Sequence, residues 1–573
     1  MPTQRPCHLL TRIRRAQGED AGFALIVTVL MLAVLSSFSL VMLKQVIDGA
    51  QASRKDQDWV ASLSAAQAGL DEYASRLNQS DGSYYIYNPA NPLLPDPKNP
   101  DPANPAMGSL AGKLKWAPVP QVSGSGRASF HYDIDTTTYT GTASVTANGS
   151  IKVTSTGRVG VRTRTLEANI RRSGFLDYVY FTDFETQDPL DYAPSDQAAA
   201  QTSCGLKYAP QRANGCTVIS FANDTLDGPV HSNDIMNICE NVTFRKTVTT
   251  YAGGNAAPSF QSQGCTPTGT VFGPSGPPAV VAKVTMPATN ASLKAQTLAT
   301  ASPRGCLYVG PTKIVIRGNQ MLVTSPWTKS VTPGCTEGSY MSLPTNGVVF
   351  VDDVPADGTA DINAWGKSKG GGKPVCPASG NNVGYPIAGE ANWDDASGSS
   401  RYGCRVGDVF VEELGGNSSN ALDGRLTISA NNNLYVTNHI DYLNGTSGSS
   451  FLGLIAKQFL YYWHPTDSSG NNLNLPGTTA AWMNARVSAS LLSVDHAVTV
   501  MNYNLGAPLG TLNLTGNLTQ RYRGIVRQGG GYSKNYVYDP RLRYDAPPRF
   551  LDPTSSSFRN NQTTEVARAY NAS

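Results

Sequence analysis

Asp224, Asp227, His231 and Asp234 sit close together in the stretch NDTLDGPVHSND and have the residue types needed for proton transfer. Two carboxylates beside an imidazole can act as general acid and base, as in glycoside cleavage. The same stretch carries Gly228-Pro229, and Asp and Asn close turns by bonding to nearby backbone, so turn formation is the expected use. A second acidic run, Asp352, Asp353, Asp357 and Asp361 in DDVPADGTAD, offers hard oxygen ligands of the kind calcium takes, but its spacing is not that of an EF-hand. The other histidines beyond residue 100, His131, His439, His464 and His496, lie in no H-E-x-x-H, and neither a G-x-S-x-G elbow nor a P-loop is present. No catalytic residue, metal or cofactor is assigned, and the chain is expected not to be an enzyme.

A third group lies near the end. Arg521, Arg523, Arg527, Lys534, Arg541, Arg543 and Arg549 interleave with Tyr522, Tyr532, Tyr536, Tyr538 and Tyr544. Cations and ring faces suit single-stranded nucleic acid. Asp539, Asp545 and Asp552 offset the charge, and Pro540, Pro547, Pro548 and Pro553 favour an extended strap with Arg and Tyr stems packed beneath it. The strap is the expectation, and nucleic acid is not an expected partner.

The element that must position everything else is Ala21 to Leu43, 23 residues without a charge. A bilayer core takes about 20 mostly apolar residues in helix, so this stretch is a transmembrane segment. Arg5, Arg12, Arg14 and Arg15 precede it against Glu19 and Asp20, and the charges after it balance. The positive-inside rule therefore leaves the N-terminus cytoplasmic and the C-terminal part outside a single-pass cell membrane anchor. Ala50-Gln51-Ala52 resembles a signal cleavage site, but the apolar run is longer than a signal core. Trp59, Leu63, Ala66, Leu70, Tyr73 and Leu77 alternate at spacings of four and three, which puts them on one face of a continuing helix. From Phe23 to Asn78 this helix is 56 residues. Gly49 and Gly69 are its soft points.

The basic leader ending in Gly22, the Phe23-Ala-Leu-Ile start and the unbroken apolar run together resemble the N-terminus of type IV pilin-like proteins. The resemblance implies a leader (1–22) cut by a prepilin peptidase between Gly22 and Phe23, and a helix (23–78) that meets other pilin-like subunits. Major pilins carry an acidic residue five positions into the mature chain, where Val27 stands here. That departure resembles the PilX-type minor pilins and argues against a major subunit.

Composition agrees with an exported chain. With 573 residues more than one domain is expected, charged residues are only 15%, and 55 Gly with 37 Pro indicate many turns. A net charge of +3 is too small to indicate a nucleic-acid or membrane-surface partner. Cys7 lies in the leader; Cys204, Cys216, Cys239, Cys265, Cys306, Cys335, Cys376 and Cys404 all follow the span, in no C-x-x-C pair. Disulfides are expected, and eight cysteines allow about a hundred connectivities among which sequence does not choose.

The expected fold is α+β. After the helix comes a Pro/Asn-rich loop (79–115), then a small antiparallel β head (116–174) with strands over ASFHYDID, SIKVTSTGR and RTRTLEANIRR. A large β-rich domain (175–550) follows, then a tail (551–573). Its short runs end in Asn or Gly, and Ile428, Ile455, Leu491 and Leu514 recur at loose intervals, which predicts rungs of a parallel β-helix with inserted loops, a sandwich being the alternative. LDGPVHSND, GRLTISANNNLYVTNHIDY, LGLIAKQ and GTLNLTGNLTQRYRG resemble the exported domain joined to PilX-type N-termini in Gram-positive, particularly actinobacterial, pilus-assembly proteins. The resemblance implies a non-enzymatic surface module in a type IV pilus or related filament, contributing to pilus assembly, adhesion or surface display, and a surface or carbohydrate ligand is a candidate partner of the exported domain. A membrane-anchored polysaccharide-active enzyme and a DNA-uptake pseudopilin are the alternatives.

Overall fold

The computed structural model describes residues 21–79, 106–119 without 108, 111 and 112, residues 127–134, and 150–570 with short internal gaps. The leader residues 1–20 and most of the loop 79–115 lie outside the described residues.

The N-terminal element is one helix, Ala21–Gln79. Nothing in it breaks the hydrogen-bond ladder, for it holds no Pro, and its Ser and Thr hydroxyls bond back one turn, as Thr28 Oγ1 does to the Ala24 carbonyl (2.9 Å) and Ser39 Oγ to that of Leu35 (2.7 Å). Its last turns pack on the head, where Ala66, Leu70, Tyr73 and Leu77 are buried. Leu63 packs partly against the same core, and Trp59, at the rim, is 40% exposed under the guanidinium of Arg164, 4.8 Å from its ring centre.

The head is a five-stranded antiparallel sheet in the order 117–118, 128–134, 150–159, 162–172, 558–566. Two glycines let the helix lie directly on it. A Cβ at Gly157 would stand 2.1 Å from the Ser62 carbonyl oxygen, and one at Gly69 would stand 2.3 Å from Ser155 Oγ. Gly69 is therefore a packing contact, where the sequence suggests a soft point. The fifth strand, Phe558–Val566, comes from the stretch read as a tail. Its Asn-rich sequence shows no strand pattern, but it pairs with Arg162–Arg172 and covers an edge that would otherwise be bare. Asn78 bonds to both backbone groups of Phe558, and Tyr570 donates to Asp133 (2.8 Å), so the chain end is tied to the helix and the sheet. The head is thus built from two separated pieces of sequence.

In the large domain, most strands alternate between two faces and pair in parallel with a strand one coil away, while Gln320–Thr324 pairs antiparallel with both Thr312–Arg317 and Tyr340–Ser342. Arg425–Ala430, Phe451–Ala456, Arg486–Ser493 and Thr511–Tyr522 stack on the first face. Val409–Glu413, Leu434–Val436, Leu460–Tyr462 and Val498–Val500 stack on the second. The chain does not enter at an end of this stack. Tyr180–Phe184 lies in its middle, with Val230–Ser232 on one side and Thr511–Tyr522 on the other. From there the chain runs outward through Val248–Thr250 to Ala279–Val280, crosses to the far end at Cys306–Val309, and stacks back.

One interior column runs through Cys306, Val349, Ile428, Leu454, Leu491, Leu518, Tyr180, Val230 and Val248, all buried. Ile428 and Leu491 share it as expected, but Ile455 pairs with Ser429 and Leu492, and Leu514 with Val487. Coil lengths vary with the inserted loops, and Phe451–Ala456 is buried on both faces, so neither spacing nor alternation could set the register. Asn223 and Asn241 turn equivalent corners of adjacent coils at positive φ, and the Asn241 amide donates to the Asn223 side chain (3.1 Å). Four disulfides join cysteines adjacent in sequence: Cys204–Cys216, Cys239–Cys265, Cys306–Cys335 and Cys376–Cys404.

Candidate functional site

The acidic residues around His231 do not converge on it. His231 is fully buried on the second coil, its Nδ1 paired with Thr249 Oγ1 (2.9 Å) and its Nε2 with Asn233 Oδ1 (3.1 Å), and its ring stacks on Phe181 at 5.5 Å. Burial pushes its pKa down to about 4, so the ring is neutral at ordinary pH. Asp234 faces elsewhere. It pairs with Arg212 (2.7 Å) and accepts the backbone N–H groups of Glu185, Ala209 and Ile235. Burial raises its pKa to about 6 while the Arg212 charge and the backbone donors pull the other way. Asp224 takes Lys534 (3.0 Å), and Asp227 takes Arg245 at the surface (3.2 Å). Proton transfer between such separately occupied groups has no geometry here; they fasten neighbouring coils to one another.

Asp352, Asp353, Asp357 and Asp361 are likewise divided. Asp352 pairs with Lys294, Asp353 accepts from Gly407 N (2.7 Å) and Asn431, and Asp361 accepts from Asn363 N (2.8 Å). Among the described residues no three His, Cys, Asp or Glu side chains group as a metal site.

Of the Arg and Tyr residues near the end, Tyr544 lies outside the described residues, Arg527 and Arg543 are exposed, and Tyr522, Tyr532, Tyr536 and Tyr538 are buried. Arg523 is buried with Glu185 (2.6 Å) and lies over the Phe221 ring at 3.5 Å. Tyr532 donates to the Trp482 carbonyl and Tyr538 to that of Leu176 (both 2.7 Å). Arg541 bonds to the Gly448 carbonyl (2.6 Å), and the Pro548 carbonyl accepts from Thr427 (2.5 Å), so this segment straps over the first face. With these rings covered, they present no stack for bases.

What remains exposed is the helix. Phe23, Leu32, Phe38 and Leu40 are each more than half exposed, and apolar side chains stand out on all its sides as far as Ile47. Among the described residues this is the one helix long and apolar enough to cross a membrane. Its charged stretch, Lys44 to Asp58, separates the apolar part from the head. Gly22 and Phe23 lie within its first turn. Sequence reasoning missed Glu185 and Arg212, buried against the acidic cluster, because they come from outside the stretch, and Asn233, which lies within it and reads as a turn residue; the charged residue within an apolar strand, as in YFTDFE, is the signal that pointed to Glu185.

No family model matches this chain, and no curated protein matches it. Among solved structures it shows a likeness to the crystal structure of the competence-associated pilin ComZ from Thermus thermophilus, at 12% identity over 89% of this chain and 98% of that one, with a TM-score of 0.16. A score that low carries no argument about fold or function, and the reading below rests on this chain's own residues.

Proposed function

We propose that this is a pilin-like, non-enzymatic surface protein with a PilX-type N-terminus, a minor component of a type IV pilus or related filament. The observation that carries the reading is the stem helix: a charge-free first half, exposed all round, continuous with a second half buried on an antiparallel head. An exposed apolar helix of this length needs lipid or other helices around it. The membrane supplies the first surrounding, and the helices of other pilin-like subunits supply the second once prepilin peptidase has cut between Gly22 and Phe23. The stacked coils, read as a parallel β-helix, are the outward adhesive or structural module. The separate partners of His231, Asp224, Asp227 and Asp234 support the absence of catalysis, and the burial of Tyr522, Tyr532, Tyr536 and Tyr538 speaks against DNA uptake.

N-terminal mass spectrometry of the membrane-associated and shed protein tests this, in cells with and without prepilin peptidase. The expected mature chain starts at methylated Phe23 and disappears without the peptidase. A start at Met1 or Pro2 in both strains would overturn the pilin reading and leave a single-pass anchor.

A further inference from the structure

The first face forks at Gly516. The C-terminal half of Thr511–Tyr522 pairs with Tyr180–Phe184, and its N-terminal half pairs instead with Ser533–Tyr538, which in turn pairs with Thr225–Asp227. Side chains alternate along this branch. Leu512, Leu514, Tyr536 and Leu226 point inward and are buried, which turns their neighbours outward. Two outward rows result from the register: Arg486, Asn513, Asn535 and Thr225 in one, and Ser488, Thr515, Val537 and Asp227 in the other. Neighbouring coils lie about 4.8 Å apart, so each row spans roughly 15 Å.

This surface is walled, not flat. The loop from Asp441 to Thr446 and the segment around Ser418 rise beside it, and together with Ser488, Thr515 and Val537 they enclose a groove of about 540 Å3. We propose that this groove binds an uncharged glycan chain. Three features match that chemistry. Its floor offers the Ser488 and Thr515 hydroxyls one coil apart, and the outward row next to it carries amides, the Asn535 amide donating to Asn513 Oδ1 (2.9 Å), so these donors and acceptors are held in fixed directions. In one wall Asp441 Oδ2 accepts from Arg486 (3.1 Å) and from Ser418, which fixes the carboxylate as an acceptor for a sugar hydroxyl. The exposed Val537 supplies an apolar patch for a sugar's C–H face. Opposite charges paired within the groove leave no net field for a polyanion, and the strand backbones are already bonded to neighbouring coils, which excludes addition of a peptide strand. Binding breaks no bond.

The inference deepens the reading of the large domain as the outward module of a pilin-like protein and rests on it. The full chain in detergent is passed over immobilised dextran, mannan, xylan and chitin. Retention by at least one is expected, with affinity falling at least about tenfold in Thr515→Arg and in Thr446→Arg, which lies on the wall outside the sheet and leaves the strands intact. Retention by none, or equal retention of both variants, overturns the groove. N-terminal processing is read in the same cells: processing at Gly22-Phe23 without glycan binding overturns the groove alone, and glycan binding by an unprocessed chain overturns the pilin reading alone.

Discussion

Asp224, Asp227, His231 and Asp234 show how residue type misleads when neighbours are unknown. Their proximity in sequence was compatible with acid and base, although turn closure was the expected use; in space they take separate partners, and the result is a set of fastenings. His231 and Asp234 also titrate in opposite senses. The folded state holds His231 neutral down to about pH 4, against about 6.5 unfolded, so its contribution to stability is present above pH 6.5 and lost as the pH falls through that window. Asp234, raised to about 6, contributes below its ordinary carboxylate value and loses that contribution as the pH rises to about 6. The two offset one another in the wild type. Replacing His231 with Gln removes one side of the balance, so the stability gap between wild type and His231→Gln should narrow by as much as about 3 kcal/mol between pH 7 and pH 4. Denaturant melts at several pH values measure it, and a gap independent of pH would refute the assignment.

At the scale of elements, the helix and the head sheet meet through backbone. Gly157 lets the strand 150–159 touch the helix at Ser62 and Ala66, where any side chain would collide with main chain. Main chain cannot turn aside as a flexible side chain can, so Gly157→Ala should separate helix and sheet at a cost of about 2 kcal/mol. Hydrogen exchange is expected to quicken in the strands 128–134, 150–159 and 162–172 while the stacked coils keep their protection; unchanged exchange in the head would show that the packing relaxes without loss. The head strands were legible because ASFHYDI and RTRTLEANIRR alternate and end in turn residues. The fifth strand was not, because FRNNQTTEV takes its conformation from the edge it covers.

At the scale of the molecule, the coil stack begins and ends in its own middle. Tyr180–Phe184 is held between strands that follow it by about fifty and about three hundred residues, through Gln520 to Tyr180 and Thr182, Arg523 to Glu185, and His496 to Asp188. No local signal announces such a seam. Loops leave the stack on long excursions, and the disulfides close them over separations of 12, 26, 29 and 28 residues. Each closure limits the unfolded chain by about 3 kcal/mol in the loop-entropy account. Reduction should therefore lower the thermal midpoint of the large domain markedly while the far-ultraviolet spectrum at low temperature stays β-rich. A midpoint indifferent to reductant would mean that the bridges do not hold these loops.

The sequence alone determined the charge-free span and its length, the amphipathic continuation, the α+β class and the placing of eight cysteines after the span. Those properties depend on composition and on periodicities within a few turns or strands, where each residue's neighbours are its own sequence neighbours. The register of the coils, the seam at Tyr180, the return of Phe558–Val566 to the head, the partners of the buried charges and the polar groove beside Asp441 were decided by tertiary structure. They arise where residues hundreds of positions apart compete for the same hydrogen bonds and the same buried volume, and only the folded chain settles which of them meet.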